Sequence, residues 1–205
     1  MPANKSIRTF DPARVALLET ENWEAYYQKR WGRLLQVSVA LVKEAFGLNT
    51  WQALQGAYLV GRGEIVAAPF PNNDIPRAEA YMRRFYAMVK RVHHESFDVE
   101  QAAHLEVNWW VVHRELFLKE DKQPLVEALL DLYVATFRLP REQLRAAAYH
   151  RAEAMRYSDR WVNESKASGH PLLAQVEAEL LKSYTALRDA VAAAPAGVPA
   201  PASAG

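Results

Sequence analysis

The chain has 205 residues, of which half are hydrophobic and about a quarter are charged, and this composition is typical of one globular domain with a substantial core. Lysine and arginine total 25 against 24 acidic residues, and this near balance argues against a dedicated nucleic-acid binder. The absence of cysteine excludes disulfides, iron–sulfur clusters and zinc–thiolate sites.

The first predicted helical region follows Asp11 and Pro12, a pattern typical of an N-cap followed by proline in the first turn. Gly47 is the residue expected just after the end of this region. The interval of about 35 residues exceeds the usual helix length, so we expect a break near residues 20–22.

Local signals also place the next helices. A second helix is predicted over 50–68, and Asp74 is the predicted cap of a third, with Pro76 in its first turn. Asp98 with Gln101 three residues later is a capping-box pattern for a fourth helix. Three more helices are predicted over residues 124–137, 140–166 and 171–193.

No segment shows the alternating pattern of a strand. The sequence therefore predicts an all-α, single-domain bundle of six or seven helices over residues 11–193. We expect a flexible N-terminus over 1–10 and a disordered Ala/Pro-rich tail over 194–205. The longest uncharged apolar run is about half a membrane span and no secretory-leader pattern is present, so we expect a cytoplasmic protein without a membrane span.

The segment HLEVNWWVVHRELF, residues 104–117, places a glutamate, a tryptophan and a histidine on one helical face: Glu106, Trp110 and His113. A glutamate and a histidine that project between helices are typical of metal-binding bundles. The alternative is that Glu106 and His113 flank an ordinary core stripe, with Trp109 among the residues that fill space.

A second cluster lies on the predicted sixth helix, where His150, Glu153, Tyr157 and Trp161 share a face. The first two are three residues apart and could bind one metal ion together. The alternative is a solvated edge on which Glu153 pairs with an arginine. The aromatic residues of the two clusters are candidates for lining a pocket: Trp109, Trp110, Tyr157 and Trp161.

Glycines at 56, 61 and 63 fall inside the predicted second helix, where each costs about 1 kcal/mol relative to alanine. They indicate close helix packing or a kink. Glu64 follows directly and joins Glu106, His113, His150 and Glu153 as a metal-ligand candidate. Imidazole and carboxylate ligands suit iron or manganese, but the Glu-x-x-His and His-Glu-x-x-His patterns are absent.

The most basic stretch is YMRRFYAMVKRVHH, residues 81–94, whose cations could contact phosphate or an acidic partner: Arg83, Arg84, Lys90 and Arg91. A solvated face of an amphipathic helix is the alternative explanation.

These patterns leave three functional hypotheses, and they do not decide whether the protein is an enzyme. The first is a non-catalytic binding module that uses an aromatic-rich pocket or face for an apolar ligand, a partner protein or a second copy. Its support is the content of six tryptophans and nine tyrosines. The second is an iron or manganese oxidoreductase. The third is an anion or nucleic-acid contact through residues 81–94, which is the weakest because the other predicted helices show no matching basic stripe.

Overall fold

The structure is a computed structural model that describes residues 6–193, and every regular element in this range is an α-helix. The helices are α1 (Pro12–Tyr27), α2 (Trp31–Ala45), α3 (Thr50–Ala67), α4 (Ile75–His93), α5 (Val99–Glu115), α6 (Gln123–Phe137), α7 (Arg141–Glu164) and α8 (Pro171–Ala193). The all-α prediction is confirmed, with eight helices in the described range rather than six or seven. The predicted tail over 194–205 lies outside the described residues.

The eighth helix arises because the first predicted helical region breaks at residues 28–30, not at 20–22. Lys29 adopts a left-handed backbone conformation with φ of 58°, which ends α1. The polar residues at 20–22 stay helical, and the Thr20 hydroxyl donates to the Ala16 carbonyl oxygen one turn earlier, at 2.9 Å.

Aspartates fix three of the predicted helix starts. Each side chain accepts hydrogen bonds from backbone N–H groups in the first turn: Asp11 from Ala13 and Arg14, Asp74 from Arg77, and Asp98 from Gln101. Such a cap typically contributes about 1 kcal/mol to stability, so these local interactions position α1, α4 and α5 along the chain.

Each helix packs against the next one in the chain, and α8 returns to pack against α1. Two glycines allow close approach to α3. A Cβ at Gly56 would lie 2.8 Å from Val42 Cγ1, and one at Gly63 would lie 3.3 Å from Trp110 Cη2. Close packing is therefore the role of these two positions, whereas a Cβ at Gly61 would meet no atom within 4 Å.

The described part of the N-terminal segment packs on the bundle, which differs from the expectation of a flexible segment over 1–10. The Ile7 side chain is 2% exposed and belongs to the main core. Arg8 Nη2 donates to the Phe137 carbonyl oxygen at 3.1 Å. Burial of Ile7 and the bond from Arg8 fix residues 6–10 against the helices, and the prediction for 1–5 lies outside the described residues.

Apolar side chains also remain on the surface of α2 and α3. The most exposed large ones on these helices are Trp31, Leu35, Trp51, Leu54, Tyr58 and Ile65. Within residues 6–193, no helix is both long enough and apolar enough to cross a membrane. The predictions of a partner protein or a homodimer stay predictions, since the structure describes a single chain.

Candidate functional site

The bundle encloses a cavity with two chambers. The outer chamber has a volume of about 550 Å³ and the inner chamber about 180 Å³. Five side chains line both chambers, and we call them the neck residues: Asn22, Trp23, Glu64, Trp109 and Trp110. Because the neck residues border both volumes, the two chambers adjoin each other.

Helical spacing of three and four residues brings the lining side chains to one face of each helix. α1 contributes Glu19, Asn22, Trp23, Tyr26 and Tyr27. α5 contributes Glu106, Trp109, Trp110, His113 and Phe117, the last from just beyond the helix end. α7 contributes Arg151, Met155, Ser158 and Val162. The cavity is therefore built mainly from regular helix faces, and residues between helices such as Phe70 and Phe117 complete its lining.

Of the predicted pocket-lining aromatics, Trp109 and Trp110 line both chambers. Trp161 instead lies in a separate buried cluster with Leu172 and Leu173, and its Nε1 donates to the Ala167 carbonyl oxygen. Tyr157 lies outside the lining of both chambers and stacks with Arg156, whose guanidinium carbon is 4.7 Å from the ring centroid. The face they share on α7 is turned away from the cavity.

A buried ionic network joins α1, α6, α7 and α8 at the inner chamber. Arg151 Nη2 donates to Glu19 Oε1 at 2.8 Å and Nη1 donates to the Tyr133 hydroxyl at 3.3 Å. The Tyr184 hydroxyl donates to the other oxygen of Glu19. Burial raises the pKa of Tyr184 and of Tyr133, so both phenols stay protonated. Arg151 also lies over Trp109, 5.1 Å from the ring centroid.

Glu106 is held in place by neutral donors. The Tyr86 hydroxyl donates to one carboxylate oxygen at 2.6 Å, and Trp109 Nε1 donates to the other at 3.1 Å. Burial raises the pKa of Glu106 above its ordinary value. The carboxyl group of Glu106 therefore lies at the inner chamber without a directly paired cation in the described part of the chain.

Glu64 differs from Glu19 and Glu106 because no hydrogen bond or ion pair holds its carboxyl group within residues 6–193. Glu64 is an exposed residue that opens to solvent at the outer chamber, and the neighbouring protein atoms only partly desolvate its carboxyl group. Desolvation raises its pKa from 4.5 to about 7, and the nearby Glu106 and Glu19 add to the rise. Glu64 thus titrates near neutral pH at the neck of the cavity.

Replacing Glu64 with glutamine is expected to raise the free energy of unfolding near pH 8 by roughly 1 kcal/mol, a modest gain because the group keeps access to solvent. When folding raises the pKa of an acid, the folded protein loses stability as the pH rises from the ordinary pKa of that acid to the raised one, here from 4.5 to about 7. The gain should therefore vanish near pH 4. Urea unfolding at both pH values tests this, with the exposed Glu177→Gln on α8 as control. An equal gain at both pH values would contradict it.

His113 lies at the edge of the outer chamber and is paired with a buried carboxylate. Its Nε2 lies 3.0 Å from Asp159 Oδ1, and Lys122 Nζ donates to Asp159 Oδ2 at 2.7 Å. Lys122 also donates to the Leu116 carbonyl oxygen at 2.6 Å. This cluster connects the end of α5 to α7 and to the start of α6.

The metal-ligand candidates do not converge. Glu64 and Glu106 face the cavity and His113 pairs with Asp159, while His150 and Glu153 have partners elsewhere. His150 Nδ1 lies 2.7 Å from Glu179 Oε2, and Glu153 pairs with Arg156 at 2.7 Å, as the solvated-edge alternative predicted. Within residues 6–193, no three histidine or acidic side chains are arranged to hold a metal ion. The geometry therefore gives the iron or manganese hypothesis no support.

The cations of α4 divide into two kinds. Arg84 and Arg91 are exposed. Arg83 pairs with Glu79 and Glu100, and Lys90 Nζ donates to the Phe97 carbonyl oxygen at 2.8 Å. Two of the four predicted anion contacts are thus engaged within the protein, which leaves a sparse basic surface.

Glu19 and Arg151, the two charged residues at the centre of the buried ionic network, were not predicted from the sequence. A signal for both was present. Glu19 lies four residues after Val15 and four before Trp23, on the face that α1 buries. Arg151 interrupts the α7 stripe between Ala147 and Met155 in the same way. A charged residue inside an apolar stripe is the pattern of a buried, paired charge.

Comparisons of the chain with protein-family models, with curated proteins and with solved structures find no match. The function of the cavity is therefore inferred from its size, its aromatic lining and its few polar groups.

Proposed function

We propose that this protein is a binding protein that holds a small, mostly apolar molecule in the two-chambered cavity. The observation that carries the proposal is the cavity itself, an outer chamber of about 550 Å³ adjoining an inner one of about 180 Å³. Small-molecule sites typically measure about 300–1,000 Å³ and combine an apolar lining with a few polar groups. The volume and the lining both fit that description.

The aromatic lining supports a ligand with a flat, apolar body. Trp23 and Trp110 border both chambers, and Tyr26, Tyr27 and Phe117 extend the lining in the outer one. Aromatic rings offer large rigid surfaces that gain from offset or edge-to-face contact with another ring. These side chains therefore favour an aromatic or alicyclic ligand over a highly hydrated one.

Two polar atoms at the inner chamber have no partner within residues 6–193: the Thr136 hydroxyl and Arg151 Nε. A buried polar atom left without a hydrogen bond costs about 1–3 kcal/mol. Both atoms are buried, so a polar group on a bound molecule, or a water molecule that accompanies it, would remove that cost only after the side chains rotate towards the chamber. The inner chamber thus offers specific hydrogen bonding beyond its apolar contacts.

Binding is favoured over catalysis by the way the remaining polar groups are used. Glu19 is held by Arg151 and Tyr184, and Glu106 by Tyr86 and Trp109. These fixed hydrogen bonds create a rigid, preorganised lining, which lowers the cost of holding a ligand.

A neutral fluorophore tests the proposal. We expect N-phenyl-1-naphthylamine to bind the wild-type protein at one saturable site with enhanced emission. Ala68 lines the outer chamber at the end of α3, and Ala68→Trp should weaken binding at least about tenfold by filling it. The matched control is Ala178→Trp at an exposed position of α8, which should leave binding unchanged.

Two results would overturn the binding function. The first is the absence of saturable binding by the wild-type protein. The second is equal binding by the Ala68→Trp and Ala178→Trp variants, which would place the fluorophore outside the cavity.

A further inference from the structure

The charges that line the inner chamber do not balance. Three carboxyl groups face it, those of Glu19, Glu64 and Glu106, against the single guanidinium of Arg151. Arg151 is already committed to Glu19 through a 2.8 Å ion pair. Two acids therefore remain without a paired cation in the described part of the chain.

The outer chamber does not supply the missing cation. Its cationic or potentially cationic lining residues are His113 and Arg114. His113 lies against the buried Asp159, and Arg114 is an exposed residue that donates to the Ala68 carbonyl oxygen at 2.6 Å. Glu64 is thus an acid at the neck without a paired cation in the described part of the chain, and a bound cation would supply its counter-charge.

The neck also contains aromatic side chains beside Glu64. Trp23 and Trp110 line both chambers, as Glu64 does. Indole faces attract cations, most strongly where water is excluded. The protein itself uses this interaction nearby, where the guanidinium of Arg151 lies 5.1 Å from the centroid of Trp109.

A separate feature points to a bound molecule and not only to a group of acids. Thr136 is 6% exposed, lines the inner chamber, and its hydroxyl has no hydrogen-bond partner within residues 6–193. Because the hydroxyl oxygen itself is buried, a polar group at the inner end of a ligand would reach it only after the Thr136 side chain rotates towards the chamber. The site therefore has a second polar contact point beyond the carboxylates.

We infer that the ligand of this cavity is an organic cation, an apolar ring system that carries a positively charged nitrogen, and that Glu64 pairs with that nitrogen at the neck. Trp23 and Trp110 flank the charge, the outer chamber holds the apolar body, and Thr136 meets the inner end. This inference rests on the binding function proposed above and adds the chemical class of the ligand.

Pairing with Glu64 makes the affinity for the cation depend on pH, because a group of the protein titrates and the fixed charge of the ligand does not. Ionisation of Glu64 near pH 7 should make a cation with a fixed charge bind up to about tenfold more tightly near pH 8 than near pH 6. Other titratable or charged groups line the same chambers: Glu19, Tyr26 and Tyr27 from α1, Tyr86 from α4, Glu106, His113 and Arg114 from α5, Tyr133 from α6, Arg151 from α7, and Tyr184 from α8.

The test uses two probes of nearly identical shape that differ in charge. (2-Naphthylmethyl)trimethylammonium carries a fixed positive charge, and 2-neopentylnaphthalene replaces its nitrogen with carbon. Each competes with N-phenyl-1-naphthylamine for the wild-type protein, for Glu64→Gln and for the control Glu177→Gln on the exposed face of α8. Glu64→Gln is expected to be more stable than the wild-type protein near pH 8, so misfolding would not explain a loss of binding by this variant.

We expect the wild-type protein and Glu177→Gln to bind the cation at least about tenfold more tightly than its neutral isostere near pH 8, and Glu64→Gln to bind both alike. Equal binding of the two probes by the wild-type protein, or an undiminished preference in Glu64→Gln, would overturn the inference. If the fluorophore binds but neither probe displaces it, the inference fails and the binding function stands. If the fluorophore does not bind, the binding function itself fails.

Discussion

Replacing Asp159 with alanine is expected to lower the free energy of unfolding by about 3–5 kcal/mol, because the change leaves a buried lysine without its counter-charge. Asp159 is 1% exposed and Lys122 is 4% exposed, and their side chains are joined at 2.7 Å. The substitution also removes the oxygen that lies 3.0 Å from His113 Nε2. Urea unfolding measures the loss.

Two comparisons show whether the charge is the cause. Replacing both members of the pair, Asp159→Leu with Lys122→Met, should restore most of the stability, since an apolar pair of similar volume needs no counter-charge. Asp189 is exposed and pairs with the neighbouring Arg188, so Asp189→Ala should change stability by less than about 0.5 kcal/mol. A loss in Asp159→Ala no greater than that of Asp189→Ala would contradict the prediction.

Replacing Arg151 with methionine is expected to be similarly costly, at about 3–5 kcal/mol, because it strands the carboxylate of Glu19 inside the bundle. Glu19 is 4% exposed, and the guanidinium supplies its 2.8 Å ion pair. Methionine replaces the unbranched stem of the arginine side chain, so loss of charge and hydrogen bonds dominates over loss of packing. Urea unfolding at constant pH provides the measurement.

The same helix offers a matched control for Arg151→Met. Arg160 is an exposed residue of α7 that pairs with Glu164 one turn later, and Arg160→Met should change stability by less than about 0.5 kcal/mol. In an Arg151→Met protein, the further change Glu19→Gln should recover part of the loss by removing the stranded charge. If it recovers nothing, the ion pair is not the source of the loss.

Local signals in the sequence predict most of the helix starts, but they identify few of the side chains that pair between helices. The caps at Asp11 and Asp98 act within a few residues, so reading the sequence locates them well. The break at residues 28–30 has no comparable signal, because Lys29 takes a left-handed conformation without glycine or proline. That break depends on the packing of α1 and α2 as a pair.

The sequence indicated several lining residues of the candidate site but not its central ion pair. Trp109 and Trp110 were singled out from spacing on one predicted helix and Glu64 from its place after three glycines on another, and all three line the neck. Arg151 and Glu19 are 132 residues apart in the sequence, and their pairing is a product of tertiary packing. Each interrupts an apolar stripe, which indicates burial but does not identify the partner.

Closure of the bundle by α8 against α1 makes folding depend on contacts between the two ends of the chain. Tyr184 and Glu19, which meet at the inner chamber, are 165 residues apart in sequence. Contacts of such long range require the loss of much chain entropy before they stabilise anything, and this slows folding. The inner chamber is therefore completed only when the last helix docks. A molecule bound there favours the step that joins the two ends of the chain.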